Sequence, residues 1–133
     1  MPKLFSQEWV EEYIKAINSN EEYANAAKDW EGDFLFVIEP DEEMDEPKYV
    51  YLDLYHGKAR GGYVVDDPSK VNAAFEFRGK FSNWKKLLEG EVDPIKGLIT
   101  RQFVLKGSMA KVMKYTKAAK LLVECTKKVE TEY

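Results

Sequence analysis

Between Lys48 and Tyr55 the chain changes character at every step. Val50, Leu52 and Leu54 alternate with Tyr49, Tyr51, Asp53 and Tyr55. A strand points successive side chains to opposite faces, so this spelling specifies a sheet with two unlike surfaces. His56-Gly57-Lys58 follows at once and reads as a hairpin turn into another strand, Ala59 to Val65. Gly61-Gly62 inside that strand marks a bulge or a close backbone approach. Upstream, Phe34 to Glu39 is a further strand after the Gly32-Asp33 turn. Three strands with short links predict an antiparallel meander.

Helical spacing brackets these strands. Ser6 caps a helix whose stripe is Phe5, Trp9, Val10, Tyr13, Ile14 and Ile17. A short helix is expected over residues 21–28. After the Asp66-Asp67-Pro68-Ser69 loop, a fourth strand is expected over 73–78, then a helix capped by Ser82 and ending at Gly90. Asp93-Pro94 opens a short helix carrying Ile95, Leu98 and Ile99. A fifth strand over 100–106 precedes one long final helix. The expectation is a single α+β domain over residues 1–133. Its five-stranded, mainly antiparallel sheet follows the order α-β-β-β-crossover-β-α-β, with helices covering it.

Charge excludes several functions. The formal charge is −4, which argues against a nucleic-acid partner. One cysteine, Cys125, and one histidine, His56, leave no disulfide and no Cys- or His-based metal cluster. No metal and no cofactor are expected. Residues 1–56 hold 15 acids and 4 bases, whereas residues 57–133 hold 9 acids and 16 bases. The acidic run from Glu39 to Pro47 reads as a solvated loop. In the final helix Lys111, Lys114, Lys117, Lys120 and Lys128 share the face opposite Val112, Tyr115, Ala119, Leu122 and Val123. That face is either simply solvated or a contact for anionic headgroups. No signal peptide, peroxisomal tail or spanning segment is visible, so a cytoplasmic location is expected.

From Trp30 onward, over about 100 residues, the sequence resembles the sterol carrier protein-2 family. The similarity is carried by Ala73-Ala74-Phe75-Glu76-Phe77-Arg78-Gly79, Ser82-Asn83-Trp84, Leu87-Leu88-Glu89-Gly90, Asp93-Pro94 and Gln102-Phe103-Val104-Leu105-Lys106-Gly107-Ser108, with a looser match at Trp30–Phe36. The resemblance implies an apolar tunnel between sheet and helices that binds a sterol, a fatty acyl chain or an acyl-CoA without catalysis. The chain departs from eukaryotic members in lacking the peroxisomal tail and in its lysine-rich final helix. Positions expected to line the tunnel are Phe75, Phe77, Trp84, Leu88, Ile95, Leu98, Ile99, Phe103, Leu105, Met109, Val112 and Met113. Unbranched methionines suit a pocket of variable shape. Arg101, Lys111, Lys114 and Lys117 are the candidates for contact with a head group or membrane.

Two other readings stand beside the carrier. Tyr49, Tyr51 and Tyr55 form a row that serves either as a cross-strand ladder or as an interaction face closing a homodimer. A small hydrolase would use His56, oriented by Asp53 or Asp66, but no nucleophile elbow accompanies it.

Overall fold

Local capping sets the first two helices of the computed structural model, which describes residues 1–133. Ser6 Oγ accepts from the Trp9 N–H at 3.2 Å and starts α1, Gln7–Asn18. Asn20 Oδ1 accepts from Tyr23 N–H at 2.8 Å and starts α2, Glu21–Ala26. The strands β1 (Phe34–Glu39), β2 (Lys48–Tyr55) and β3 (Lys58–Val65) then form the expected meander. His56 and Gly57 have φ of 49° and 78°. Two consecutive left-handed residues are what a two-residue hairpin loop needs to match the twist of its strands.

The bulge falls at the Asp53/Leu54 step opposite Gly61 and Ala59, leaving Arg60 as the extra residue. The guanidinium of Arg60 turns back over the Tyr55 ring at 4.0 Å and pairs with Asp53 at 3.1 Å. Gly62 supplies the close approach. A Cβ there would lie 2.8 Å from the Tyr51 carbonyl oxygen and 3.2 Å from Ile14 of α1.

The later elements are β4 (Phe75–Lys80), α3 (Phe81–Leu88), α4 (Pro94–Ile99), β5 (Phe103–Lys106), α5 (Met109–Lys114) and α6 (Thr116–Thr126). The sheet order is β3-β2-β1-β4-β5. Only β1 and β4 run parallel; the other neighbours are antiparallel. A parallel pair demands a crossover, and residues 66–74 make it across the sheet's outer face. There Val71 and Ala73 pack on Leu35, Val37 and Val65. Asp33 fastens the end of this strap, accepting from Ala74 N–H and Tyr51 O–H, each at 2.7 Å.

Alternation sends Phe34, Phe36, Val50, Leu52, Phe77 and Leu105 to the inner face, where the helices cover them. Helices α1 and α3 are also fixed by hydrogen bonds. Asn18 exchanges two with the backbone of Ala59, at 2.8 and 3.0 Å. Gln7 Oε1 accepts from Val64 N–H at 3.0 Å, and Trp84 Nε1–H donates to the Val37 carbonyl at 2.9 Å. Helices α4 and α6 send no hydrogen bond to a strand; α4 packs on β5 and α6, and α6 packs on the other helices, with Tyr13 of α1 bonded to its Leu122 carbonyl.

Four expectations need correction. The final helix is two helices, because Tyr115 leaves helical geometry (φ −116°, ψ 35°). The fourth strand starts at Phe75, which pairs with Phe34, so Ala73 and Ala74 belong to the strap. The fifth strand starts at Phe103, because Arg101 turns the chain with φ 63°. Ser82 does not cap α3. Its own N–H is capped by Asp41 Oδ2 at 2.8 Å, from the acidic loop.

That loop is therefore more than solvated charge. Asp41 and Met44 form a bridge, and Glu43 reaches Lys85 at 3.4 Å. The backbone N–H of Ser82, followed by that of Glu43, holds the Asp41 carboxyl below its usual value. A carboxyl lowered on folding stabilises the fold above its unfolded value, near pH 4. That contribution fades as pH falls through the lowered folded value. Asp41→Ala should cost about 1 kcal/mol, the ordinary loss for a helix cap. Asp41→Asn should keep most of that stability and flatten the acid limb below pH 4. Urea titrations at neutral pH and at pH 3 test both outcomes.

Candidate functional site

The inner layer of the molecule is not filled. A cavity of about 80 Å³ lies between the sheet and the helices, and 17 of its 19 lining residues are hydrophobic. Phe34, Phe36, Val50, Phe77 and Leu105 form its floor from four strands. Trp9 and Tyr13 of α1 form one wall. Trp84, Leu87 and Leu88 of α3 and Pro94, Ile95 and Leu98 of α4 form another, and Val112, Ala119, Leu122 and Val123 close the roof. A second hollow of about 30 Å³, lined by nine hydrophobic residues including Trp30, Leu54 and Tyr115, lies beyond. Phe34, Val112, Ala119 and Leu122 line both hollows, so the two adjoin.

The polar atoms at the cavity wall are already engaged. Tyr13 O–H donates to the Leu122 carbonyl at 2.9 Å and Thr126 O–H to the Val123 carbonyl at 2.5 Å. Burial pushes the Tyr13 phenol well above its usual value, so it stays neutral. No His, Cys, Asp, Glu, Lys or Arg lines the cavity. Such a surface offers dispersion and desolvation to an apolar ligand.

Of the positions expected to line a tunnel, Phe77, Trp84, Leu88, Ile95, Leu98, Leu105 and Val112 line this cavity. Five do not. Phe75 is buried against Trp30 and Phe34, at ring distances of 5.2 and 5.1 Å. Phe103 stacks behind Phe77 at 4.7 Å and meets Trp84 at 5.4 Å, backing the wall without reaching the space. Ile99 is the outward residue at the end of α4 and is 71% exposed. Met109 and Met113 are 43% and 45% exposed, because only Val112 of the short α5 turns inward. Sequence reasoning missed the α1 wall. Its signal was present in the Phe5, Trp9, Tyr13 spacing.

The charged candidates lie outside. Arg101, Lys114 and Lys117 are exposed. The Lys111 ammonium lies 4.9 Å from the centroid of Trp30, which lines the smaller hollow, and donates to the Glu31 carbonyl. His56 sits in the hairpin turn with Nε2 2.7 Å from Glu31 Oε2, whereas Asp53 is committed to Arg60. The orienting carboxylate is thus neither Asp53 nor Asp66. Tyr49 and Tyr51 are half-buried beside the strap, and Tyr51 meets Tyr63 across the strands at 5.2 Å, as a ladder does.

The fold that carries this cavity is shared with known proteins. Residues 10–120 match the SCP-2 sterol transfer family. The chain belongs to that family. It is similar over 96% of its length to all of a sterol carrier protein 2 known from a crystal structure, with 31% identity and a TM-score of 0.88. It is equally similar in shape (TM-score 0.88) to a conserved hypothetical protein from Thermus thermophilus, with 30% identity over 99% of this chain and 93% of the other. Sterol carrier protein-2 from Aedes aegypti, solved with palmitate, shares the fold at 16% identity and TM-score 0.55, covering 96% of this chain and 99% of that one. No curated protein matches the chain.

Proposed function

We propose that this chain binds and carries a lipid by its hydrocarbon tail, in the cavity between sheet and helices, without catalysis. The observation that carries the reading is an interior left open and lined almost wholly by hydrocarbon in a member of the SCP-2 sterol transfer family. The absence of any ionisable lining residue apart from the neutral Tyr13 supports carriage over chemistry.

Size refines the ligand. Small-molecule sites usually enclose about 300–1,000 Å³, whereas the main cavity holds about 80 Å³ and its neighbour about 30 Å³. The cavity must therefore widen to admit a ligand. Two small adjoining hollows that share four lining residues suit a flexible acyl chain better than a rigid sterol. Each buried methylene is worth about 0.8 kcal/mol, so a 16-carbon tail offers roughly 12 kcal/mol gross, before the costs of widening and of ordering the chain.

Native mass spectrometry of the purified protein, with titration of a fluorescent fatty acid, tests the proposal. One acyl chain per protein, displaced competitively by palmitate, is the expected result. A clean apo mass with no uptake would refute it.

A further inference from the structure

A cation stands beside the smaller hollow. The Lys111 ammonium lies 4.9 Å from the Trp30 ring centroid and 5.7 Å from that of Phe75. Trp30 lines the smaller hollow, and Val112, the residue after Lys111, lines both hollows. Lys111 is half-buried, and its ammonium donates to the Glu31 carbonyl. The Glu31 carboxylate is turned away to His56 Nε2, at 2.7 Å. That bond, ahead of the Lys111 charge, holds the Glu31 carboxyl below its usual value. Lys111 itself forms no ion pair within 4.0 Å. An ammonium has three donors, so the carbonyl leaves two for another acceptor.

The same bond fastens α5. It is the only hydrogen bond from this helix to a residue outside 108–116. Val112 is thus held over both hollows by its own packing and by one tie to a neutral acceptor.

We propose that Lys111 anchors the carboxylate of a long-chain fatty acid, and that this carboxylate, in drawing the ammonium off the Glu31 carbonyl, frees α5 to move aside for the chain. The proposal rests on the carrier reading and adds to it a head group and a direction. A carboxylate brings a charge attraction that a carbonyl lacks, and low-dielectric walls screen it less than water does. The tail then starts at Trp30 and passes Val112, Ala119 and Leu122 into the larger cavity. One ammonium beside an ionised Glu31 balances a monoanion, whereas a dianionic phosphate would keep an excess charge facing Glu31. Neutral lipids give the ammonium no reason to leave the carbonyl.

Displacement of a fluorescent fatty acid by palmitate or by hexadecanol, ligands of one chain length, tests the anchor. The wild type should prefer palmitate by about tenfold or more, the usual worth of a hydrogen bond to a charged group. Lys111→Met keeps the stem and should abolish the preference by weakening palmitate alone. Hexadecanol should bind that variant at least as tightly as it binds the wild type, because the tie on α5 is gone, and its binding shows that the variant is folded. Lys111→Arg should retain the preference, and Lys15→Met on α1 should leave both affinities unchanged. Equal affinities in the wild type, an undiminished preference in Lys111→Met, or parallel losses of both ligands would overturn the anchor while leaving the carrier reading in place. Displacement by neither ligand in the wild type would overturn both. Hexadecyl phosphate binding more tightly than palmitate would overturn the carboxylate in favour of a phosphate head group.

Discussion

Ala119→Leu should cut fatty-acid affinity more than tenfold while leaving the fold intact or slightly firmer. Ala119 lines both hollows, so three added carbons enter the space an acyl chain would thread. Filling a void restores contacts that its lining lacks. At about 24 cal/mol per Å³, complete filling of the 80 Å³ cavity gains at most about 2 kcal/mol. Stability and affinity should therefore move in opposite directions, which ordinary structural damage cannot produce. Thermal melts alongside fluorescent fatty-acid titration read both. Unaltered affinity in a variant that melts no lower would sink the cavity as the binding site. Val112→Phe, placed in the same dividing wall, gives an independent check should the leucine rotate away.

Trp84→Ala should be the most damaging single change, with a loss of about 4–6 kcal/mol in urea unfolding. The indole meets Phe5, Phe77 and Phe103 edge-on at 5.3–5.5 Å and Phe36 at 6.1 Å. Its N–H bonds the Val37 carbonyl in the sheet. Truncating a buried tryptophan costs about 3–5 kcal/mol, and removing that donor adds roughly another 1 kcal/mol. Domains of this size hold only about 5–15 kcal/mol in total. Trp84→Phe retains most of the aromatic packing and should lose only about 1–2 kcal/mol. A Trp84→Ala protein as stable as the parent would show that the ring cluster does not support the cavity wall.

The strands were legible because their signals are local. The Lys48–Tyr55 alternation and the His56-Gly57 turn fix a face and a hairpin within a dozen residues. The Gly61-Gly62 pair marked the irregular strand, although the extra residue is Arg60 next door. What escaped depends on contacts between distant residues. The bond from Asp41 to Ser82 spans 41 positions, and no spacing rule relates an acidic loop to a helix start so far away. The break at Tyr115 was hidden because the wheel keeps Val112, Ala119 and Leu122 in phase across it. That hidden break also explains Met109 and Met113. A helix only six residues long packs through one residue, and its other apolar side chains face outward. The α1 wall is a different case. Its stripe was plain, but a stripe says that a helix face is covered, not whether a void lies beneath it.

The uneven fastening of the helical layer has a mechanical consequence. Side-chain hydrogen bonds clamp α1 and α3 to strands, whereas α4 and α6 send none to the sheet and α6 is tied to α1 by the single bond from Tyr13 to the Leu122 carbonyl. Dilation of the interior should thus be lopsided. The floor and the clamped flank would stay in register while the other flank rides outward on its guest, as a hinged cover does, with no rung of the β-ladder undone.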